Sequence, residues 1–477
     1  MAITGDQART AHLLRRFGLG ASEAEVDFYS AGGWEKAVDR LLKYESVPEP
    51  VVYDDEFLMD PDGRMIPNPR LAQVACYSWL LTTTRPLQAQ MTLFWHDHFA
   101  TSTEKVSNGP AMYRYWQVLQ NNATGRFSDL LLAVSKNPAM LYWLDNIENL
   151  KGRPNENFAR EVMELFTLGE GNYSEKDVLE VARAFTGWSY AVSINGRTRP
   201  NRGEIPVQRH EYYFDTFNHD SGPKSVIGQS GPWNGDDVIK ILCELPRTAY
   251  YLTEKVWNWF VYPEPSKAVI EKHARVFATS GLEIKALLRS IMLDEEIFSD
   301  RAERKAIKNP VAFCVPTMRQ LGFGAVMVTA LEGFTHTDAG RGRAAMQLGR
   351  MAQISTSAMG MEILTPPDVS GWPSMTQWIT TSTMVERMKW SDSLFSGQRG
   401  ASQLSVGTVA PVGATATKVV ENLLSVLDAT LPDTKKANLV AAATEELGGR
   451  PVNRTNGTAV VSKVARLLFS TPEFQFM

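Results

Sequence analysis

The sequence predicts a mainly α fold, a multi-helix globular body with a small β-hairpin insertion and a C-terminal helical subdomain. Three observations carry this. Apolar residues recur at three- and four-residue spacing through most of the chain, which lines one face of a helix. One stretch, 188–220, breaks that period with short alternating runs. No run of about 18 apolar residues is long enough to cross a membrane, so no membrane span is expected. A chain of 477 residues exceeds one ordinary core, and its 44% apolar and 21% charged residues are globular values. A net charge of -4 argues against a general nucleic-acid partner, which would ordinarily meet a basic surface.

The first helix is expected over 10–17, stopped by Gly18 and Gly20. Helical spacing continues over 34–44, 70–83, 87–101, 111–120, 128–135, 156–168 and 175–185. The 175–185 helix opens on a capping-box-like Ser174 and Asp177 pair and closes at Gly187. In 188–220, Asn195-Gly196 is a hairpin turn signal, and Glu211-Tyr-Tyr-Phe-Asp215 reads as a second short strand. Helices resume over 236–245, 247–260, 266–280, 284–293, 310–321, 341–351 and 375–390. The main domain is therefore drawn as 1–390. The Ser-, Gly-, Ala- and Thr-rich stretch 391–417 reads as a flexible linker or loop. The tail 418–477 holds amphipathic segments over 419–427, 434–447 and 462–469, enough for a small helical subdomain. The three cysteines, Cys76, Cys243 and Cys314, lie far apart in apolar stretches and read as free thiols.

Four segments carry candidate chemistry. The 156–168 helix places Phe158, Val162, Leu165 and Phe166 on one side and Asn157, Arg160, Glu161 and Glu164 on the other. Asn155 is a good N-cap. Glu161 and Glu164, three residues apart, can face one ligand or one metal, and Arg160 can clamp an anionic group or pair with Glu164. The second segment is Phe94-Trp-His-Asp-His-Phe99. On a continuous helix His96 and His98 point about 200° apart, so they cannot share a metal. His98 extends an apolar stripe and reads as the more buried, leaving His96 and Asp97 to face a cleft. The third is Phe217-Asn-His-Asp-Ser-Gly-Pro-Lys224, where His219, Asp220 and Lys224 suit proton transfer, phosphate binding or metal ligation, or simply a capped turn. The fourth, Thr365-Pro-Pro-Asp-Val-Ser-Gly-Trp-Pro373, is a stiff loop that offers Trp372 as an apolar wall, a lid or a core anchor. The nucleophile elbow, the P-loop and the HExxH zinc motif are all missing.

Taken in order, several strings resemble one family. They are His12-Leu-Leu-Arg-Arg-Phe-Gly-Leu-Gly20, Phe94-Trp-His-Asp-His-Phe99, Asn137-Pro-Ala-Met-Leu-Tyr-Trp-Leu-Asp-Asn146 and Pro154-Asn-Glu-Asn-Phe-Ala-Arg-Glu161. Met163-Glu-Leu-Phe-Thr-Leu-Gly169, Ala182-Arg-Ala-Phe-Thr-Gly-Trp188, His219-Asp220, Lys308-Asn-Pro310 and Pro366-Pro-Asp-Val-Ser-Gly-Trp-Pro373 complete the set. The chain resembles the bacterial family known as domain of unknown function 1800 from about His12 to Arg387 and onward. The resemblance implies a mainly helical bacterial protein, often exported, whose genes often neighbour those of a sulfatase-like family, an expected partner. Two departures stand out. The N-terminal residues show no export signal, which by itself points to the cytoplasm. Asp97 stands where related sequences often carry Asn.

The expected function is that of an enzyme, a metal-assisted or acid–base hydrolase or lyase, with one polar cleft built from 95–99, 155–164 and 219–224. His96, Asp97, Arg160, Glu161, Glu164, His219 and Asp220 are its candidate catalytic residues. Asn155, Asn157, Lys224 and Trp372 are candidates for substrate binding, and a divalent metal on His96, Glu161, Glu164 and His219 is the candidate cofactor. The alternatives are a non-catalytic binding or assembly protein of a cell-surface or exported complex, and a di-iron oxidoreductase. The last lacks the usual pair of ExxH helices.

Overall fold

The computed structural model describes residues 3–194, 197–201, 203–207, 210–338, 342, 346–373, 375–395 and 406–477. Helices dominate. In chain order they are α1 (Asp6–Phe17), α2 (Glu23–Ser30), α3 (Trp34–Leu42), α4 (Pro69–Thr82), α5 (Pro86–His98), α6 (Gly109–Asn121), α7 (Phe127–Ser135), α8 (Pro138–Trp143), α9 (Asn157–Met163) and α10 (Glu175–Phe185). After the strands come α11 (Gly235–Glu244), α12 (Pro246–Phe260), α13 (Lys267–Thr279), α14 (Ile284–Met292), α15 (Pro310–Gln320) and α16 (Phe323–Leu331). The last are α17 (Gln347–Ala358), α18 (Thr381–Phe395), α19 (Ala416–Val426), α20 (Asp433–Leu447) and α21 (Gly457–Phe469).

The centre is built on α4 and α5. Each starts with a proline in its first turn, where the missing N–H costs nothing. Each is buried nearly all round, which is the signature of a core helix and not of a surface one. Helix α4 packs against α6, α15, α16 and α17, while α5 packs against α1, α3 and α6. Gly349 of α17 allows one of the close approaches to α4. A Cβ there would stand 2.2 Å from the Ser78 Oγ of α4.

The β segment is larger than a hairpin. Strands β1 (Trp188–Ile194), β2 (Arg197–Asn201) and β3 (Glu211–Phe214) form an antiparallel sheet in the order β2-β1-β3. Trp188 pairs with Phe214, and Tyr190 pairs with both Asn201 and Tyr212. The Asn195-Gly196 turn lies outside the described residues. Strands β4 (Lys224–Val226) and β5 (Gln229–Gly231) make a second, two-stranded sheet.

Several boundaries differ from those expected. The short helices α2 and α8 carry too few turns to show a strong period, and α16 is apolar nearly throughout, so its faces do not alternate. The helix expected over 341–351 is found as α17, beginning at Gln347, and part of the expected range lies outside the described residues. The one expected over 375–390 is a 3-10 turn, Met375–Trp378, followed by α18. That helix runs to Phe395, into the stretch 391–417 read as a linker, of which 396–405 lie outside the described residues. Residues 406–409 are helical, and α19 begins at Ala416. The tail helices α19, α20 and α21 pack on one another, and α21 also packs along α18. No single helix among the described residues is long and apolar enough to cross a membrane. All three cysteines are free.

Candidate functional site

Because α5 is buried on all sides, its last turn delivers His96, Asp97 and His98 to three different surroundings. Both histidines are 1% exposed, so His96 is as deep as His98 and does not face a cleft. The Leu364 N–H donates to His96 Nε2 (2.9 Å), and the ring stands edge-on to Trp116 and Trp372. Burial alone pushes the His96 pKa down to about 3. His98 Nε2 meets the Phe166 carbonyl at 3.2 Å. Burial, then the Lys255 charge, drives His98 well below the ordinary histidine value. Both imidazoles are neutral core groups near neutral pH.

Asp97 points elsewhere. Its Oδ1 accepts the Trp372 N–H (2.8 Å), and Gly371 sits against it with φ +94. A Cβ on residue 371 would fall 2.5 Å from that oxygen, so the close approach of loop and helix requires glycine. Asp97 Oδ2 has no hydrogen-bond partner among the described residues. Burial raises the carboxyl to about 6, against the Trp372 N–H and the Lys255 ammonium, which both lower it. Lys255, on α12, is lowered in turn by burial, with Asp97 opposing. Its ammonium stands 5.5 Å from the Tyr251 ring centre.

Asp97 lines a cavity of about 100 Å³ whose walls include Trp259, Trp372, Trp378, Met361 and Leu93. Arg16, Gln90, Asn258 and Asn309 add polar groups to the same walls. The Asn258 Oδ1 is buried without a partner among the described residues. Arg16 is fixed by main-chain oxygens alone, those of Phe260, Val261 and Met477. Burial, then Arg15, brings its pKa down to about 9. The cavity is below the roughly 300–1,000 Å³ of drug-sized ligand sites. It has room for one slender group.

The Asn155–Glu164 segment does not join this cavity. The helix expected over 156–168 is α9, followed by a π-helical turn over Glu164–Leu168 that ends at Gly169, φ +77. The wider turn lets the Leu165 carbonyl accept from Tyr251 (3.0 Å) and the Leu168 carbonyl accept from Arg247 Nε (2.7 Å). Asn155 caps: its Oδ1 accepts the Asn157 N–H (3.0 Å), while Asn157 itself is exposed. Arg160 is not free to clamp a substrate. Its fork holds both oxygens of Glu175 (2.9 and 2.7 Å), with Glu156 at 3.6 Å. Glu164 takes the Tyr173 hydroxyl in place of Arg160. Glu161 is half-buried, and burial followed by the Glu164 charge raises its pKa.

The 219–224 loop is held locally. His219 Nδ1 lies 2.9 Å from the Thr186 carbonyl, and its ring meets Phe214 edge-on. Asp220 accepts from Arg183 Nε (2.8 Å), which holds its carboxyl below the usual range. Lys224 is buried and donates to the carbonyls of Asp220 (2.5 Å) and Gly222 (3.0 Å). Asparagine side chains tie this loop to α9 through the backbone. Asn149 donates to the Ala182 carbonyl (2.8 Å) and accepts the Asn155 N–H (3.0 Å), and Asn146 donates to the Trp188 carbonyl (3.1 Å). The Lys151 N–H reaches the Asn218 carbonyl at 2.8 Å.

His96 and His219 therefore have different partners on different elements, apart from Glu161 and Glu164. Among the described residues no group of three or more His, Cys, Asp or Glu side chains is placed to hold a metal ion. Of the expected site residues, Asp97 and Trp372 share a cavity. Sequence reasoning missed Lys255, Asn258, Arg16 and Asn309. Arg16 and Asn309 stand inside strings that carried the family resemblance, so a signal was present. Lys255 gave none, because a lysine on an amphipathic helix ordinarily marks a solvated face.

A family model described as a protein of unknown function (DUF1800) matches residues 12–476. No curated protein and no solved structure matches the chain.

Proposed function

The chain belongs to the DUF1800 family, and from that premise we propose that it is an acid–base enzyme, a hydrolase or lyase, whose proton-transferring group is the Asp97 carboxyl. One observation carries the reading. Asp97 is fixed through Oδ1 by the Trp372 N–H, its Oδ2 has no hydrogen-bond partner among the described residues, and the residue lines a cavity walled by tryptophans and methionine. A carboxyl with a pKa near 6 is mostly ionised at neutral pH yet holds its proton far better than an ordinary aspartate. Oδ2 accepts a proton from a bound substrate or water and returns it to the leaving group. Lys255 supplies compensating positive charge as the carboxylate forms. The Trp372 wall excludes water from one side, and the cavity size favours a slender apolar group next to the scissile bond.

Asp97→Asn is the discriminating variant. Asparagine keeps an Oδ1 acceptor for Trp372 and cannot carry the proton. A panel of small chromogenic esters, amides, glycosides and elimination substrates is assayed with both proteins between pH 4.5 and 8. The expected result is turnover by the wild type with an acidic limb near pH 6, reduced at least 10²-fold in the variant. Equal turnover by the variant, or none by the wild type on any class, removes the proposal.

A second reading, a binding or assembly protein, draws on a different observation. Glu175 takes up Arg160, Arg183 takes up Asp220, and backbone carbonyls take up His219 and Lys224, as in a structural network. Retained binding of a sulfatase-like partner by Asp97→Asn, with no turnover by either protein, would favour it.

A further inference from the structure

Beside the Asp97 cavity lies a second one of about 30 Å³, and Gln90, Ala312 and Met477 line both. Its polar wall is Arg15, Arg304, Lys308 and Asp428. Asp428 accepts from Arg15 Nη1 through Oδ2 (2.8 Å) and from Arg304 Nη2 through Oδ1 (3.3 Å). The Lys308 ammonium has no hydrogen-bond acceptor among the described residues and lies 4.0 Å from the Phe474 ring centre. Arg15 Nε is buried without a partner among them as well. Behind this wall Arg16 is held by carbonyls, and Arg387 by Gln475 Oε1 (2.7 Å) and the Lys308 carbonyl (2.7 Å). Three cations, Arg15, Arg304 and Lys308, thus share one side-chain carboxylate, Asp428, with Glu303 acting on Arg304 from farther away.

Such an arrangement is costly unless something answers it. Cations withdrawn from water need paired charge or accept a lower pKa. The lower pKa is what this chain shows. Burial, then Arg304, with Arg387 and Arg15 also contributing, brings Lys308 down to about 7 against the pull of Asp428. Arg304 is lowered by burial and by Arg15. The excess of positive charge is local, since the whole chain carries a net -4. Arg304 and Asp428 both sit at φ +46, a strained conformation for residues other than glycine.

We propose that this second cavity is a binding site for the oxyanion head of a small ligand, a carboxylate or a phosphate group, held by Lys308, Arg15 and Arg304. Guanidinium forks match paired oxygens better than they match a spherical halide. A water needs about 10–15 Å³ of such volume, so the cavity takes two or three oxygens of such a head and leaves the body of the ligand outside. Proximity to the first cavity would allow one molecule to reach both. The proposal itself does not depend on proton transfer at Asp97.

The test uses binding alone. Isothermal calorimetry and thermal melts compare inorganic phosphate, acetate and chloride at one ionic strength, for the wild type, Lys308→Met and Asp428→Asn. Phosphate or acetate is expected to raise the wild-type midpoint well beyond chloride, and the stronger of the two names the head group. Lys308→Met should weaken that anion at least tenfold while melting at or above the wild type without it. Asp428→Asn should melt lower without anion and gain more from it. Equal responses to all three anions would show simple screening and overturn the site. So would a Lys308→Met protein that binds as the wild type does, or calorimetric silence of the wild type toward phosphate and acetate.

Discussion

Replacing Asp97 by Asn tests the electrostatics of the first cavity without reference to any substrate. Burial holds the native carboxyl near 6, against an ordinary 3.8. Two pH units correspond to about 3 kcal/mol of native-state preference for the protonated form. The sign follows from linkage. Between pH 4 and 6 the native state binds more protons than the unfolded chain, so this group makes stability fall as pH rises through that window. Above pH 6 the penalty is complete. Asparagine removes it and keeps the Trp372 contact. Part of the gain is lost, because Lys255 then has no facing carboxylate and its own depressed pKa falls further. The variant is therefore expected to match the wild type near pH 4 and to exceed it by about 1–3 kcal/mol at pH 7.5. Urea unfolding of both proteins across pH 4–8 measures the difference directly. His96 and His98 have the same burial in both proteins, so their contribution cancels. A difference that is flat with pH would refute the argument. So would a variant that loses stability as pH rises, since Asp97 would then be a stabilised ion-pair carboxylate.

The remaining expectations concern residues with structural partners. His96→Ala leaves the Leu364 N–H without its acceptor and empties the space between Trp116 and Trp372, so chemical unfolding should show a loss of about 3 kcal/mol. Arg160→Ala removes an exposed ion pair and should leave the thermal midpoint and any turnover unchanged; a large loss of turnover would restore Arg160 as a substrate clamp. Gly349→Ala drives a methyl into Ser78 Oγ and the Val74 carbonyl, forcing α17 off α4 at a cost of about 1–3 kcal/mol in urea melts. Asp294 is held well below the carboxylate range by His273, then Lys272, and its Oδ1 accepts the Glu296 N–H (2.9 Å). Its stabilisation is present above about pH 4 and lost as pH falls through the depressed native value. Asp294→Ala should therefore cost about 2 kcal/mol at pH 7, and the difference should shrink in melts at lower pH.

What the sequence made legible was whatever its periods encode. Helices of three turns or more, and the Ser174 capping box, followed from apolar spacing and local hydrogen-bond chemistry alone. The π turn at Glu164 did not, because it depends on Tyr251 and Arg247 reaching in from a distant helix to take carbonyls that an α-helix would keep. The depth of His96 was hidden for a similar reason. Helix α5 is buried on nearly every side, so an amphipathic reading assigns it an outer face it does not have. Lys255 and Lys308 look in sequence like ordinary solvated lysines. Only tertiary packing places one before Asp97 and the other among arginines.

The strings that carry the family likeness fall into two physical groups. Arg15 and Arg16 from the first string, Asp97 from the second, Lys308 and Asn309, and Trp372 with Pro373 all line the two adjoining cavities. The others, around Asn146, Asn155, Ala182, Trp188 and His219, meet at the asparagine ties that join α9, α10 and the 219–224 loop through backbone groups. Side chains spent on backbone carbonyls and amides leave little capacity for a ligand, whereas the unpartnered Asp97 Oδ2, Asn258 Oδ1 and Lys308 ammonium retain theirs. Substitution in the second group should thus act through stability, and substitution in the first through what the cavities bind.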